Sequence, residues 1–422
     1  MPRSGPPASP APRLPRSFWW LWTGEAITVL GDRALGVTLP YLVFQQTQSL
    51  TMTALLALTG YLPGLLFGSL AGVLADRWDR RTTLVGAQLL QGLLILLLLA
   101  GAPQVGLLMP VIFAVRSLNL LALPAGAALL PELVGDAHLA RATAQLTVGH
   151  TSARLLGPVM GGLLAGFGSL PAVVCVDALT FLLAALCFTR LPRSAGPRPV
   201  PHDLPPRRGG PALYAEWRDG LRWATGQPLI RTLLLTSALT SLGGTLIDPY
   251  YAPYLQGVLR ASPADVGLLS TLIGAGTLCG SLLATRIVPR VALGPTVAVG
   301  TLLVGGLMLL MYRQATLAPV FVLGTLLGLP MVVANVASST LLQLGTPAAL
   351  RGRVAGTLAT TTSLTGVLAT GSAALLGNGA APVPMLTLAA ALTLFAGLHA
   401  WRLGRLERLH GRAWRPPEAA QA

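Results

Sequence analysis

Residues 72–81 read GVLADRWDRR, and this short stretch lies between two apolar runs at 52–75 and 82–101. A helix needs about 20 apolar residues to cross the hydrocarbon core of a bilayer. Both runs are long enough, whereas the stretch between them carries three arginines and two aspartates. The pattern predicts two membrane-spanning helices that are joined by a short charged turn at the membrane surface.

Further apolar runs of helical length lie on either side of this turn. A polar segment rich in Pro, Gly and Arg, residues 191–228, divides them into two sets. The first set adds 18–45, 104–128, 142–167 and 168–190, and the second comprises 229–256, 263–286, 291–312, 316–342, 351–377 and 381–403. The sequence therefore predicts an all-α integral membrane protein with twelve transmembrane helices in two six-helix bundles.

The composition agrees with a surface that faces lipid. The chain has 422 residues, of which 53% are hydrophobic and only 10% are charged, whereas a typical soluble domain carries about 25% charged residues. The net charge of +15 comes from arginine, because the chain contains no lysine. Most arginines lie in the segments between spans, so the charge indicates membrane topology, and we expect no nucleic-acid partner.

The arginine-rich segments also orient the chain. Arginines concentrate on the cytoplasmic side of membrane proteins, which predicts that both termini lie in the cytoplasm of a bacterial inner membrane. Near the end of the central segment, Leu213, Trp217 and Leu221 share one helical face, which predicts a short amphipathic helix on the membrane surface. The predicted divisions are a cytoplasmic tail at 1–17, a bundle at 18–190, a cytoplasmic linker at 191–228, a second bundle at 229–404 and a cytoplasmic tail at 405–422.

The two sets of runs resemble copies of each other. The sequence Gly-Ser-Leu at 68–70 recurs at 280–282, an offset of 212 residues, and Arg141 and Arg353 share that offset. Two parallel six-helix repeats would place a substrate site between the halves, near the middle of the bilayer.

With these features the chain resembles the major facilitator superfamily, and within it the bacterial branch of macrolide and enterobactin efflux proteins. The residues at 72–81 match the family pattern Gly-x-Leu-Ala-Asp-Arg-x-Gly-Arg-Arg, except that Asp79 replaces the second glycine. The resemblance implies a cytoplasmic latch in which Asp76 faces the start of span eleven and the arginines add contacts between the halves. Alternatively, the arginines only set topology. The predicted latch residues are Gly72, Asp76, Arg77, Arg80 and Arg81.

Span five resembles a second family motif, which antiporters carry in this helix. Glycine pairs allow close helix contact, and a proline removes a backbone hydrogen bond and permits a kink. The resemblance therefore implies an exporter, although glycine and proline are common in any membrane bundle. The motif residues are Gly149, Gly157, Pro158, Gly161 and Gly162.

Ionisable residues at membrane depth are costly and need a partner, a cavity or a function. In the resembled fold, spans one, four, seven and ten line the central cavity. This implies proton-coupling roles for Asp32, Glu25 and Arg116, the last of which resembles an arginine of proton-coupled members. It also implies cavity positions for Arg33, Asp248 and Asn335.

We hypothesise that Asp32, together with Glu25, carries the coupling proton. Burial favours the protonated form of a carboxyl group and a nearby guanidinium favours the ionised form, so a moving arginine could load and unload it. The alternative is a permanent structural pair of Asp32 with Arg33, Arg116 or Arg154. His150 is expected to bond to a neighbouring helix, and Asp177 in span six is expected to face Arg154.

Other function classes lack support in the sequence. A chain without lysine cannot contain the Gly-x-x-x-x-Gly-Lys-Ser/Thr loop of a nucleotide-driven pump. The five histidines are scattered and the three cysteines lie in apolar runs, so we expect no enzyme activity, no metal and no cofactor. A proton gradient is the expected energy source. The expected partners are a small-molecule substrate, protons and the lipid bilayer, and the chain is expected to be a monomer.

The leading prediction is therefore proton-coupled export of small amphipathic or hydrophobic compounds, such as drugs or siderophores, by alternating access. Two alternatives stay open: movement of lysophospholipids between leaflets, and uptake of a nutrient by symport.

Overall fold

The computed structural model describes residues 14–100, 105–166, 170–193, 222–347, 351–379 and 381–413, and twelve long helices account for most of this part of the chain. The first six are α1 (Arg16–Thr47), α2 (Leu50–Arg77), α3 (Arg80–Ala100), α4 (Val105–Val134), α5 (Asp136–Gly166) and α6 (Leu170–Thr189). The second six are α7 (Pro228–Pro253), α8 (Pro263–Ile287), α9 (Leu293–Met311), α10 (Leu317–Gly345), α11 (Arg351–Leu376) and α12 (Pro382–Ala413). The predicted all-α, twelve-helix architecture is confirmed.

Two of these helices are less apolar than the rest. Ten helices of the described chain are long and apolar enough to cross a membrane, whereas α5 carries Arg141, His150 and Arg154, and α11 is rich in threonine. Both lie at the seam between the halves: α5 packs against α1 and α8, and α11 packs against α7 and α2.

The helix contacts repeat from the first half to the second. The pairs α1–α5, α1–α6, α2–α4, α3–α4 and α3–α6 correspond to α7–α11, α7–α12, α8–α10, α9–α10 and α9–α12. Across the seam, the contact α2–α11 mirrors the contact α5–α8. The first helices of the halves begin at Arg16 and Pro228, 212 residues apart, which is the offset seen in the sequence. The six-plus-six repeat is therefore present in three dimensions.

The end of α12 differs from the predicted end of the second bundle. The helix continues from residue 404 to Ala413. The Glu407 carboxylate on this extension accepts hydrogen bonds from the backbone N–H groups of Leu293 (3.0 Å) and Gly294 (2.7 Å). A carboxylate at a helix N-terminus satisfies free N–H groups and complements the helix dipole, so this contact anchors the extension to the start of α9.

The central linker is described only in part. Most of the predicted amphipathic helix lies outside the described residues, as do the tails at 1–13 and 414–422. Residues 222–226 form a short helical segment just before α7. There, Trp223 and Ala224 pack with Ile230 and Val354 of the second half.

The halves meet at one side of the molecule. We call the side where α1 begins and α12 ends the terminal face, and the opposite side the far face. One buried apolar cluster combines both halves, and residues such as Tyr41, Leu50, Tyr254 and Val320 place it near the far face. Other buried clusters in the described chain each draw on a single half. The far face is therefore where the two bundles share a core.

Candidate functional site

A cavity of about 1340 Å³ lies between the two halves. Its wall in the first half comes mainly from α1, α2, α4 and α5, and its wall in the second half comes mainly from α7. Pro131 and Leu139, close to the terminal-face ends of α4 and α5, line one end of the cavity, and Tyr41 lines the other. The cavity therefore runs from near the terminal face to a closure at the far face.

Contacts between the halves close the far face. The Tyr41 hydroxyl donates to the Ala261 carbonyl (3.2 Å), and the Gln256 amide donates to the Tyr41 carbonyl (2.7 Å). Between α5 and α8, a Cβ atom placed on Gly162 would lie only 2.7 Å from the Cα of Gly267. Two helices that approach this closely leave no path for solvent between them.

Glu25 on α1 and His150 on α5 form a polar pair in the cavity wall. The His150 Nε2 lies 2.9 Å from a Glu25 carboxylate oxygen. This confirms that His150 bonds to a neighbouring helix. The pair ties α1 to α5 within the first half.

Asp32 is held loosely. One of its carboxylate oxygens lies 4.0 Å from a guanidinium nitrogen of Arg116, and the other lies 3.5 Å from the amide nitrogen of Asn119. Strong charge-assisted hydrogen bonds span about 2.7–2.9 Å. Asp32 and Arg116 therefore attract each other without a tight bond, so modest helix motion would separate them.

Arg33 and Arg154 lie beside each other in the wall of the first half. A Cβ atom placed on Gly157 of α5 would lie 2.5 Å from the Cβ of Arg33, and Arg154 is one helical turn before Gly157. Both arginines line the cavity and both are exposed to it. No carboxylate of the described residues lies within 4.0 Å of either guanidinium.

A hydrogen bond between Tyr61 and Asp248 joins the halves inside the cavity. The Tyr61 hydroxyl on α2 donates to the Asp248 carboxylate on α7 at 2.6 Å. The Tyr61 ring also lies against α11, because a Cβ atom on Gly366 would fall 2.5 Å from a carbon of that ring. Asp248 was expected to line the cavity and does so. Tyr61 gave no signal in the sequence, because a tyrosine in an apolar run is typical of any membrane helix.

We expect Tyr61→Phe to weaken the closure of the far face. A hydrogen bond to a charged acceptor contributes about 1.5–3 kcal/mol, so its loss shifts the closed-to-open ratio by about tenfold or more. Spin labels at Gln46 of the first half and Arg313 of the second, in a variant without native cysteines, would report the distance between the halves at the far face by double electron–electron resonance. Tyr250→Phe is the matched control, since the buried Tyr250 hydroxyl of α7 has no partner among the described residues. Identical distance distributions for both variants would contradict the prediction.

Two predicted positions differ from the structure. Asn335 is exposed on α10 and is absent from the cavity wall formed by the described residues, where α10 contributes Leu327. The rotation of α10 explains this, because the neighbouring Ala334 packs against Gly300 of α9. Asp177 does not face Arg154 but is buried against α1, where a Cβ atom on Gly31 would lie 2.7 Å from its carboxylate.

The predicted latch is described in part. Arg80 bonds to the Ala128 carbonyl (3.0 Å) and to Glu132 on α4, and Arg81 bonds to the Thr189 carbonyl at the end of α6. All three partners belong to the first half, so the described contacts of Arg80 and Arg81 lie within that half, and their expected contacts between the halves stay a prediction. The ends of α4 and α6 lie beside the turn and provide acceptors there. The side chains of residues 68–77, including Gly72, Asp76 and Arg77, lie outside the description.

Asp79, which departs from the family pattern, caps the start of α3. Its carboxylate accepts hydrogen bonds from the backbone N–H of Thr82 (2.8 Å) and from the Thr82 hydroxyl (2.6 Å). Aspartate is among the best helix N-caps. The replacement of glycine therefore stabilises the helix that follows the turn.

The small residues of α5 face two different helices. A Cβ atom on Gly149 would lie 2.7 Å from the Trp22 ring nitrogen, and one on Gly161 would lie 2.7 Å from the Thr38 hydroxyl, both on α1. On the α8 side, a Cβ atom on Gly267 would lie 2.9 Å from the Pro158 carbonyl. The motif thus permits close packing within the first half and across the seam.

Comparisons with known proteins agree with this architecture. Residues 21–370 match the family model of the Major Facilitator Superfamily. Macrolide efflux protein A of Streptococcus pyogenes is 23% identical over 273 residues, 63% of this chain, and the chain spans 65% of that relative's length. Enterobactin exporter EntS of Escherichia coli (O6:K15:H31, strain 536) is 29% identical over 394 residues, which cover 89% of this chain and 88% of that protein.

A solved structure shows the same fold. A bacterial homologue of the human lysosomal transporter Spinster, in an inward-facing and unoccupied conformation, superposes with a TM-score of 0.69 at 15% identity, covering 95% of this chain and 98% of that one. The chain is thus a multi-pass membrane protein. The family match, the twelve helices and the repeat lead to one conclusion: this chain belongs to the Major Facilitator Superfamily.

Proposed function

We propose that the chain exports small amphipathic or hydrophobic compounds in exchange for protons. Export proceeds by alternating access, in which the cavity between the repeats opens to one side of the membrane at a time. The observation that carries this proposal is the cavity itself, which is closed at the far face and lined by Asp32 and Glu25. The names of the efflux relatives and the glycine pattern of α5 support export.

The terminal face is assigned to the cytoplasm in this proposal, because the arginines concentrate in the segments on that side. The cavity then collects substrate from the cytoplasm or from the inner leaflet. Gly72, Asp76 and Arg77 are proposed to latch the cytoplasmic side once substrate is bound. We propose that the protein acts as a monomer in the bacterial inner membrane and that a proton gradient drives it.

The loose pair of Asp32 and Arg116 supports a proton-carrying role. When the guanidinium approaches, the ionised carboxylate is favoured and the proton leaves. When the guanidinium withdraws, that stabilisation of the carboxylate is lost and proton uptake is favoured. The distance of 4.0 Å between Asp32 and Arg116 allows both movements at low cost. Glu25 is a second carrier, with His150 as its partner.

We expect Asp32→Asn to abolish substrate-driven proton movement, with a loss of at least about tenfold, because asparagine cannot bind and release a proton. The measurement uses purified protein in liposomes that contain a pH-sensitive dye. An imposed proton gradient and a panel of lipophilic drugs complete the assay. Addition of a transported compound should drive proton efflux through the wild type but not through the variant.

Asp265→Asn is the matched control. Asp265 lies outside the cavity, where it completes the N-terminal cap of α8 with Ser262, and asparagine retains an acceptor oxygen for that cap. Unchanged coupling in Asp32→Asn would remove Asp32 from the mechanism. If no compound on a broad panel couples to protons in the wild type, the exporter proposal fails and a lysophospholipid transfer assay becomes the next test.

A further inference from the structure

The walls of the cavity differ in charge. In the described chain, the charged side chains of the first half are three arginines, Arg33, Arg116 and Arg154, and two acids, Glu25 and Asp32. The second half supplies mainly aliphatic and aromatic side chains, among them Ile247, Tyr251, Leu255, Ile273 and Tyr312, and the charged group it adds is Asp248. A molecule between these walls meets a cationic surface on one side and an apolar surface on the other.

The acids of the cavity already have partners within the protein. Glu25 bonds to His150 at 2.9 Å, and Asp248 accepts a hydrogen bond from Tyr61 at 2.6 Å. Asp32 is oriented towards Arg116 and Asn119. No acid of the described wall therefore forms an ion pair with Arg33 or Arg154 within 4.0 Å.

Arg33 and Arg154 are the unmatched charges. They have no carboxylate within 4.0 Å among the described residues. Arg33 is within electrostatic reach of Arg154 and Arg116, which repel it, and of Asp32, which attracts it from beyond that distance. A charged side chain at membrane depth is costly unless it is paired or solvated. Two adjacent guanidinium groups that face a cavity, with no described carboxylate at ion-pair distance, form a ready site for an anion, since the planar guanidinium matches carboxylate and phosphate oxygens.

We propose that Arg33 and Arg154 bind the anionic group of the substrate, and that the transported compounds are therefore anionic amphiphiles. The apolar body of the substrate packs against Tyr251, Leu255 and Ile273 on the opposite wall. This inference rests on the proposed transport function and narrows it, because a cationic compound would be repelled by the same pair. The anionic group belongs either to a soluble compound or to a lipid headgroup.

The test compares two dyes that share one fused ring system, anionic fluorescein and cationic rhodamine 6G. Fluorescence anisotropy measures their binding to the purified full chain in nanodiscs of neutral phosphatidylcholine. We expect fluorescein to bind at least about tenfold more tightly than rhodamine 6G, and its affinity to fall with added salt. Arg33→Gln and Arg154→Gln should each weaken fluorescein binding about tenfold or more, since each removes charge-assisted hydrogen bonds.

Arg402→Gln is the matched control, because Arg402 lies on α12 outside the cavity wall, and its fluorescein affinity should equal that of the wild type. Displacement of fluorescein by phosphatidylglycerol in the nanodisc would support the anion site and identify a lipid as its occupant. Equal binding of the two dyes, or unchanged affinity in both arginine variants, would overturn the inference.

Transport assays separate this inference from the proposed function. If liposomes with the protein move rhodamine 6G in exchange for protons and fluorescein does not bind, the transport proposal stands and the anion site is wrong. If fluorescein binds through Arg33 and Arg154 but neither dye moves with protons, the anion site stands and proton-coupled transport of these dyes fails.

Discussion

Gly162→Val is expected to abolish transport by preventing closure of the far face. A Cβ atom at this position would lie 2.7 Å from the Cα of Gly267 and 2.9 Å from the carbonyl oxygen of Pro263. Both atoms belong to the backbone of α8, so no side-chain rotation can relieve the clash. Overpacking costs about 1–3 kcal/mol even where side chains can adjust. The halves must therefore separate at the far face. The population of the closed conformation, relative to the open one, falls by at least about tenfold.

The measurement combines transport with far-face separation. Spin labels at Gln46 and Arg313 should report a longer distance in Gly162→Val, and transport should fall at least tenfold. Gly306→Val is the control, because a Cβ atom at Gly306 of α9 would meet nothing within 4 Å. Wild-type transport by Gly162→Val would show that the cycle does not need the α5–α8 contact.

Gly276→Val is expected to cause the largest loss of stability. A Cβ atom on Gly276 of α8 would overlap the carbonyl oxygen of Thr325 on α10 and would lie 2.9 Å from its carbonyl carbon. This crossing lies within the second half and is reinforced by Gly328, whose own Cβ would fall 2.7 Å from the carbonyl carbon of Gly276. The two helices can accept a side chain only by moving apart, which removes packing along their whole contact.

We expect the apparent melting temperature of Gly276→Val in detergent to fall by about 3–4 °C, as estimated from a cost of about 3 kcal/mol. Scanning fluorimetry on purified protein measures this directly. Gly371→Val on α11 is the control, since the space around Gly371 is open within 4 Å, and it should melt within about 1–2 °C of the wild type. Equal melting temperatures for the two variants would contradict the close crossing of α8 and α10.

Much of the fold was predictable because the transfer of a helix into lipid depends on local composition. The sequence predicted twelve spans, and the helices confirm them, including α5 and α11 with their polar residues. The repeat was visible from a few matched positions, and the same offset of 212 residues separates Arg16 from Pro228. The free-energy cost of an ionisable group at membrane depth likewise identified candidate functional residues in the sequence. Three of them, Glu25, Asp32 and Asp248, line the cavity.

The rotation of each helix was less predictable. Asn335 was expected in the cavity wall and is not found there among the described residues, whereas Arg154 and Tyr61 line it without having been proposed as cavity residues. The expected pairing of Asp177 with Arg154 is also wrong. In a soluble helix, a polar face marks the side that faces water. A membrane helix is apolar on both its lipid face and its packed face, so its pattern does not tell the two apart.

By itself, therefore, the sequence determined the number of spans, their order, the repeat and the positions of charges along the chain. Tertiary structure decided which side chains meet. Tyr61 meets Asp248 across the seam, Arg80 and Arg81 bond within the first half, and Arg33 lies beside Arg154 with no described carboxylate within 4.0 Å of either. The physical reason is that insertion into a bilayer depends on each helix separately, whereas these contacts depend on where glycines allow two helices to approach.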